Sequence, residues 1–194
     1  MVQIRCYIAA WGTIVVTISV TQDDITTALR GFLMALIPRR SVILSQINRS
    51  PMSDGDFIVM TPLNSTGLST SVVIYNAPTA AGMGKSLITR TTRWTCQIDC
   101  YGQFAHEDAH IIATTVRTEY AIELFKRSGI DMAPLYASDP IQTTMINGEQ
   151  QYESRWTFEF TAQINPVVTT EQLFFDSITL NTKTVESIHG NSNQ

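Results

Sequence analysis

The chain has 194 residues and a formal net charge of −4, from thirteen basic and seventeen acidic side chains, and its length suits one domain of roughly 100–200 residues. Charged residues make up only 15% of the sequence, whereas about 25% is usual. The acidic balance argues against a dedicated binder of DNA or of an anionic membrane, because such binding depends on an excess of Lys and Arg.

The first twenty residues are predicted to form an N-terminal extension. An apolar run over residues 6–20 resembles the core of a secretory signal. Hydroxyl residues interrupt the run, it is shorter than the about 20 residues of a spanning helix, and no small-residue cleavage site precedes the acidic pair at 23–24. We therefore expect a β-like extension, or a stretch upstream of the true start. Three cysteines favour a reducing compartment and predict synthesis in the cytoplasm.

A single domain is predicted over residues 21–180, and it begins with an amphipathic helix. Thr21 and Asp24 form a capping signal, and apolar residues then repeat at helical spacing as far as Pro38. Arg39 and Arg40 follow the helix end, where its dipole favours positive charge. Turn residues separate the three strands predicted next, which cover residues 41–47, 56–60 and 69–75.

A long β-hairpin is predicted in the middle of the chain. Residues 76–86 form a loop of small residues, and residues 87–101 are rich in Thr, Ile and Trp, as is typical of a strand. A second helix is expected from Gln103, because an apolar stripe continues from Ala105 to Leu124 before a stop at Gly129.

The last predicted hairpin joins strands at 141–146 and 151–164 through the turn dipeptide Asn147-Gly148. Alternation along the second strand puts Trp156, Phe158 and Phe160 on one face and Arg155, Thr157 and Glu159 on the other. The first face should pack into a core and the second should meet solvent or a partner. Residues 181–194 lack the apolar content to fold alone and are predicted to be a flexible polar tail.

No nucleotide site is predicted, although Gly84-Lys85-Ser86 resembles the end of a Walker A loop. That pattern needs a glycine where Thr79 stands, and it needs a following helix where Leu87 begins a strand. We therefore predict no bound cofactor.

Metal binding and hydrolysis are also weakly supported. Cys96, Cys100, His106 and His110 imitate zinc-ligand spacing, but cysteines four residues apart on one strand lie about 13 Å apart. Two buried thiols and two solvated helix histidines are the simpler interpretation. The sequence has no G-x-S-x-G motif, and His189 falls in the polar tail. The carboxylates of Glu149 and Glu153 are expected to be exposed, so neither a metal site nor an enzyme is predicted.

Surface chemistry instead indicates assembly. Twenty-five threonines supply polarity without charge, and interface cores are depleted in charged residues. Six basic and two acidic residues lie between positions 39 and 93, against seven basic and fifteen acidic elsewhere. This asymmetry could steer a complementary neighbour, although unrelated solvated side chains would give the same pattern. The candidate interface residues are Arg39, Arg40, Lys85, Arg90, Arg93, Arg155 and Glu159.

Several stretches together resemble the neck or tail terminator proteins of tailed bacteriophages. None of them is a catalytic motif, so the similarity concerns fold and assembly, and it covers most of the chain from about residue 21 to residue 175. The stretches are DFIVMTP at 56–62, QIDCYG at 97–102 with the helix after it, LYASDP at 135–140, NGEQQYESRW at 147–156, QIN at 163–165 and Phe174-Phe175.

The resemblance implies an α+β domain, a mostly antiparallel sheet packed against two principal helices. It also implies a virion protein that caps the tail tube as a ring of six, binds the tail tube protein and the head connector, and leaves a lumen through which DNA passes without specific binding. No membrane contact is implied.

Three other interpretations stay open at this point. The chain could be another neck or tail-tube component, which would polymerise without closing. It could be a nucleotide-dependent enzyme, in which case Lys85→Ala would abolish turnover, or a secreted monomeric binding domain.

Overall fold

The computed structural model describes residues 16–45, 55–79, 82–146 and 150–174. Within these ranges it is α+β with mostly antiparallel sheets, as predicted. The elements are β1 Thr17–Ile18, α1 Gln22–Leu36, β2 Ser41–Leu44, β3 Phe57–Gly67, β4 Val72–Asn76, β5 Gly82–Thr89, β6 Thr92–Tyr101, α2 Ala105–Thr115, α3 Glu119–Arg127, β7 Met132–Ala137, β8 Ile141–Ile146, β9 Tyr152–Ile164 and β10 Val167–Phe174.

The strands form two sheets, which we call the large sheet and the small sheet. The large sheet has the order β2-β3-β6-β9-β7, and β8 pairs with the first half of β9 beside β7. Its pairings are antiparallel except for β2 with β3. The small sheet has the order β1-β10-β5-β4 and is antiparallel throughout.

The hydrophobic core lies between one face of the large sheet and the three helices. Alternate residues of β6 and β9 point into it, among them Ile98, Phe158 and Phe160, while Trp156 packs against its rim. The predicted apolar face of β9 is thereby confirmed. Burial of a large apolar side chain contributes about 1.5–3 kcal/mol, so this layer is the main source of stability in the described part of the chain.

The first helix begins where the sequence predicts. Thr21 Oγ1 accepts a hydrogen bond of 3.2 Å from the Asp24 amide, and the Thr21 amide donates to the Asp24 carboxylate at 2.8 Å. The hydrogen bond from the Thr21 hydroxyl, followed by that from its amide, lowers the pKa of Asp24. This capping box satisfies amide groups that the helix leaves unpaired, and the helix ends just before Pro38.

The prediction of one long second helix is wrong, because the segment forms α2 and α3. Thr118 has an extended backbone, with φ −91° and ψ 159°, and its hydroxyl donates to the Thr115 carbonyl at 2.7 Å. Its oxygen also accepts from the Ala121 amide at 3.4 Å. Thr118 is therefore the N-cap of a new helix, and the apolar stripe continues across a break that periodicity does not reveal.

The predicted strand over 87–101 is also divided, and the single long hairpin is not confirmed. β3 pairs with β6 in the large sheet, whereas β4 pairs with β5 in the small sheet. Between the two ladders, residues 68–71 face only residues 90–91, so the pairing cannot continue in register. The Arg90 side chain fills this junction, where its Nε donates to the Ser69 carbonyl at 3.2 Å.

Several predictions fall outside the described residues. These are the extension over residues 1–15 with Cys6, the turn at Asn147-Gly148, and the tail over residues 181–194. The domain limits stay predictions. No helix in the described ranges is long and apolar enough to cross a membrane.

We expect Phe125→Ala to test the helix-to-sheet packing. The Phe125 ring lies 5.0 Å from that of Phe32 on α1 and 5.8 Å from that of Phe160 on β9. Truncating a buried Phe to Ala typically costs about 3–5 kcal/mol, so urea unfolding should show a loss of that size. Tyr120→Ala, on the same helix but 53% exposed, is the control and should change stability little. Equal effects would contradict the proposed packing.

Candidate assembly surface

The small sheet stands apart from the hydrophobic core. The core cluster contains no residue from β1, β4, β5 or β10 among the residues described. No described helix covers either face of this sheet through an extensive contact. A sheet normally buries one face against another layer. The small sheet therefore has the form expected of an element that becomes covered by a partner.

β4 carries the largest exposed apolar stretch of this sheet. Its first four residues are Val72, Val73, Ile74 and Tyr75, and they are 42–60% exposed. Neighbouring residues on a strand point to opposite faces, so both faces of β4 are apolar and open. Exposed apolar surface that is contiguous in this way marks an interaction site more often than a free surface.

The inner part of the small sheet is held by close packing around Gly84. A Cβ at this position would collide with the Asn76 carbonyl oxygen and with the Phe174 ring. Phe174 in turn meets Tyr75 edge to face, with ring centroids 6.5 Å apart. The Gly84-Lys85-Ser86 stretch is thus part of strand β5. Leu87 continues the same strand, as predicted.

β8 is a second exposed strand, and it belongs to the large sheet. Its end residues Ile141 and Ile146 are 60% and 57% exposed. Among the described strands it pairs with β9 alone. The six residues of β8 include no charged side chain, and the same is true of β4.

The basic candidates in and near the small sheet differ in how exposed their side chains are. Lys85 on β5 and Arg90 after it are exposed, whereas Arg93 on β6 is half-buried. The Nε of Arg93 is buried and has no hydrogen-bond partner in the part of the chain that the structure describes. Lys85 lies on β5 and Arg90 directly follows that strand, so both add positive charge beside β4.

Arg39 and Arg40 have different environments. Arg39 is exposed, while the Arg40 guanidinium reaches Asp108 at 2.6 Å and Asp56 at 2.9 Å. The hydrogen bond to Asp108 raises the pKa of Arg40. Arg40 thus links the end of α1 to α2 and to the start of β3. Its positive charge is balanced by two carboxylates of the same chain.

Arg155 is likewise part of an internal network. Its Nη2 and Nε donate to Asp99 Oδ1 at 2.9 and 3.1 Å, and the Thr157 hydroxyl donates to the same oxygen at 2.6 Å. Gln97 donates to the other carboxylate oxygen at 2.9 Å. The network lies on the sheet face turned away from the helices. Glu159 on the same strand is exposed, so only Glu159 presents its charge as the alternation pattern suggests.

The cysteine and histidine candidates do not form one cluster. Cys96 and Cys100 are both buried, and burial raises the pKa of Cys96 to about 12 and that of Cys100 still further. His106 and His110 are exposed on α2, with ring centroids 4.4 Å apart, and the His106 ring meets Trp156 at 4.6 Å. Within the described ranges no three side chains of the metal-ligating types come together. Glu153 lies in β9, and Glu149 lies outside those ranges.

The two exposed strands are not among the candidate interface residues predicted from the sequence. Those candidates are all charged, whereas β4 and β8 contain no charged residue. The available signal was the run VVIY at 72–75, which is apolar at every position. A strand with one solvated face would alternate, so an unbroken run next to turn residues indicates a strand covered on both faces.

Together, a helix-backed, mostly antiparallel sheet and an exposed, charge-poor second sheet are typical of a structural subunit with surface available to partners. A sequence model of the phage neck terminator proteins matches residues 23–187 of the 194, and the chain belongs to this family. It is therefore a structural component of a phage neck, a part of the virion, and interacts with other virion proteins. A comparison with curated proteins finds no match.

We expect Asp99→Ala to destabilise the fold. Removing one partner of a buried ion pair leaves the other charge uncompensated, which costs about 3–5 kcal/mol for fully buried pairs. The Arg155 side chain is 28% exposed, so the loss should lie near the lower end of that range in thermal unfolding. The control is Arg127→Ala, which breaks the exposed pair with Glu123 and should cost at most about 1 kcal/mol. Comparable losses would show that the Asp99 network is not structural.

Proposed function

We propose that this protein closes the head-proximal end of the tail tube as a ring of six copies. In this role the ring stops tube polymerisation, docks onto the head connector and leaves a lumen for DNA. The ring binds the tail tube protein on one side and the connector on the other, and it assembles in the host cytoplasm before it becomes part of the virion. Its work is structural, without catalysis.

The observation that carries this proposal is the small sheet. In the described ranges, none of its four strands contributes to the hydrophobic core, and β4 exposes apolar side chains on both faces. Contact of this apolar surface with water is unfavourable. Association with a neighbour would remove that apolar surface from water at a gain of roughly 25 cal/mol per Å². An element of this kind suits a subunit whose final state is an assembly.

A ring also requires two different patches on each copy. Rotation about one axis brings one surface of a subunit against another surface of the next, which is a heterologous contact. The small sheet supplies one such surface, and the exposed edge of the large sheet at β8 supplies another. The net charge of −4 suits a lumen through which DNA slides without binding.

Among the charged candidates, those that keep their charge at the surface support an interface role best. Arg39, Lys85, Arg90 and Glu159 are exposed. Arg93 is half-buried. Arg40 and Arg155 act by holding the fold in shape, so substituting them would change stability as well as assembly. We therefore base the test on Lys85.

We expect the purified protein to form closed rings whose molar mass by light scattering is six times that of the 21.6 kDa chain. Lys85→Glu should shift mass from rings toward single chains, because it reverses a charge at the exposed small sheet. Arg30→Glu, on the exposed side of α1, is the matched control and should leave ring mass unchanged. Electron images distinguish closed rings from open filaments. Filaments would instead indicate a tube subunit, and single chains at every concentration would refute self-assembly.

A further inference from the structure

Two strands of this chain have backbone edges that no described strand occupies and that lack the usual protection. Edge strands are commonly protected against pairing by charges, prolines, bulges or shortness. β7 has Pro134 and a register shift beside it, β1 has only two residues, and β2 has only four and packs against α1. β4 and β8 have none of these features.

The two edges match each other in length and composition. β4 has five residues and β8 has six, so both are about 17–20 Å long. Both are free of charge and carry exposed apolar side chains. They belong to different sheets of one chain. Each copy therefore presents two different surfaces, as a heterologous contact requires.

Charge complementarity favours pairing of β4 with β8. Lys85 lies opposite Asn76 at the end of β4, and Arg90 follows the partner of its first residue. Exposed carboxylates of Asp139 and Glu159 flank the start of β8, and the half-buried Glu153 lies opposite Met145 near its end. When β4 and β8 run antiparallel, Asn76 comes beside Ile141, and Lys85 then lies at the end of β8 that has the two exposed carboxylates. Pairing of β4 with a second β4 would instead bring Lys85 of one copy toward Arg90 of the other, where like charges repel.

We propose that β4 of one copy pairs antiparallel with β8 of the next copy, so that the small sheet of one subunit extends the large sheet of its neighbour. Main-chain hydrogen bonds across the two open edges supply affinity, and the apolar side chains of both strands supply packing. The inference rests on the proposed ring, since repetition of this one contact around an axis generates a closed assembly.

The proposal can be tested by cross-linking two single-cysteine variants. Aligning the strands with Asn76 opposite Ile141 places Ile74 opposite Thr143. Directly opposed residues in an antiparallel pair have Cα atoms about 4.5–5.5 Å apart, which is within the range that a disulfide spans. The variants are Ile74→Cys and Thr143→Cys, each with Cys6→Ser; the remaining thiols, Cys96 and Cys100, are buried.

Under mild oxidation, a mixture of the two variants should give a covalent dimer on a denaturing gel, and neither variant alone should do so. A dimer of Ile74→Cys alone would overturn the proposal in favour of β4 meeting β4. Rings of normal mass without a cross-link in the mixture would also overturn it, while leaving the proposed ring intact. Single chains alone in every preparation would contradict both.

A charge on the open edge gives a second readout that does not depend on register. Ile74→Lys should abolish ring formation and give single chains with unchanged thermal stability, because its side chain is 55% exposed. The matched control, Ile122→Lys, changes an apolar residue of α3 that is 42% exposed and should leave ring mass unchanged. Intact rings of Ile74→Lys would overturn the pairing of β4 with β8.

Discussion

The structure depends on the burial of one face of the large sheet against three helices. Phe32, Phe125 and Phe160 bring α1, α3 and β9 into a single apolar contact. Because all helices in the described ranges lie on this side of the sheet, no helix layer from that part of the chain covers the opposite face or the small sheet. The internal packing and the surface left open for partners are thus two consequences of one arrangement.

Much of the fold follows from local signals in the sequence. The capping residues of α1, the bounds of β8 and the apolar face of β9 are set by neighbouring residues, and the structure confirms them. The break at Thr118 and the division at residues 90–91 depend on how elements pack and on unequal lengths of chain between ladders. Sequence periodicity reveals neither break. An apolar stripe continues across Thr118, and a run of strand-forming residues continues across residues 90–91.

The candidate surface was only partly predictable for a related reason. Arg40 and Arg155 look like exposed charges by their positions, yet each pairs with a carboxylate 68 or 56 positions away along the chain. Within the described residues, neither Lys85 nor Glu159 forms an ion pair. The exposed apolar strands could be recognised only when the sheet order showed which strands lie at an edge. Family membership then gives a biological setting, a phage neck, in which the protein interacts with other virion components.

Amide hydrogen exchange distinguishes a small sheet that a neighbouring subunit completes from one that stays open. Single chains and assembled rings, separated by size, would be compared peptide by peptide. If a neighbour completes the sheet, residues 72–76 exchange rapidly in single chains and become protected in rings, while residues 94–100 of β6 are protected in both. Equally rapid exchange of residues 72–76 in both fractions would contradict completion by a neighbour.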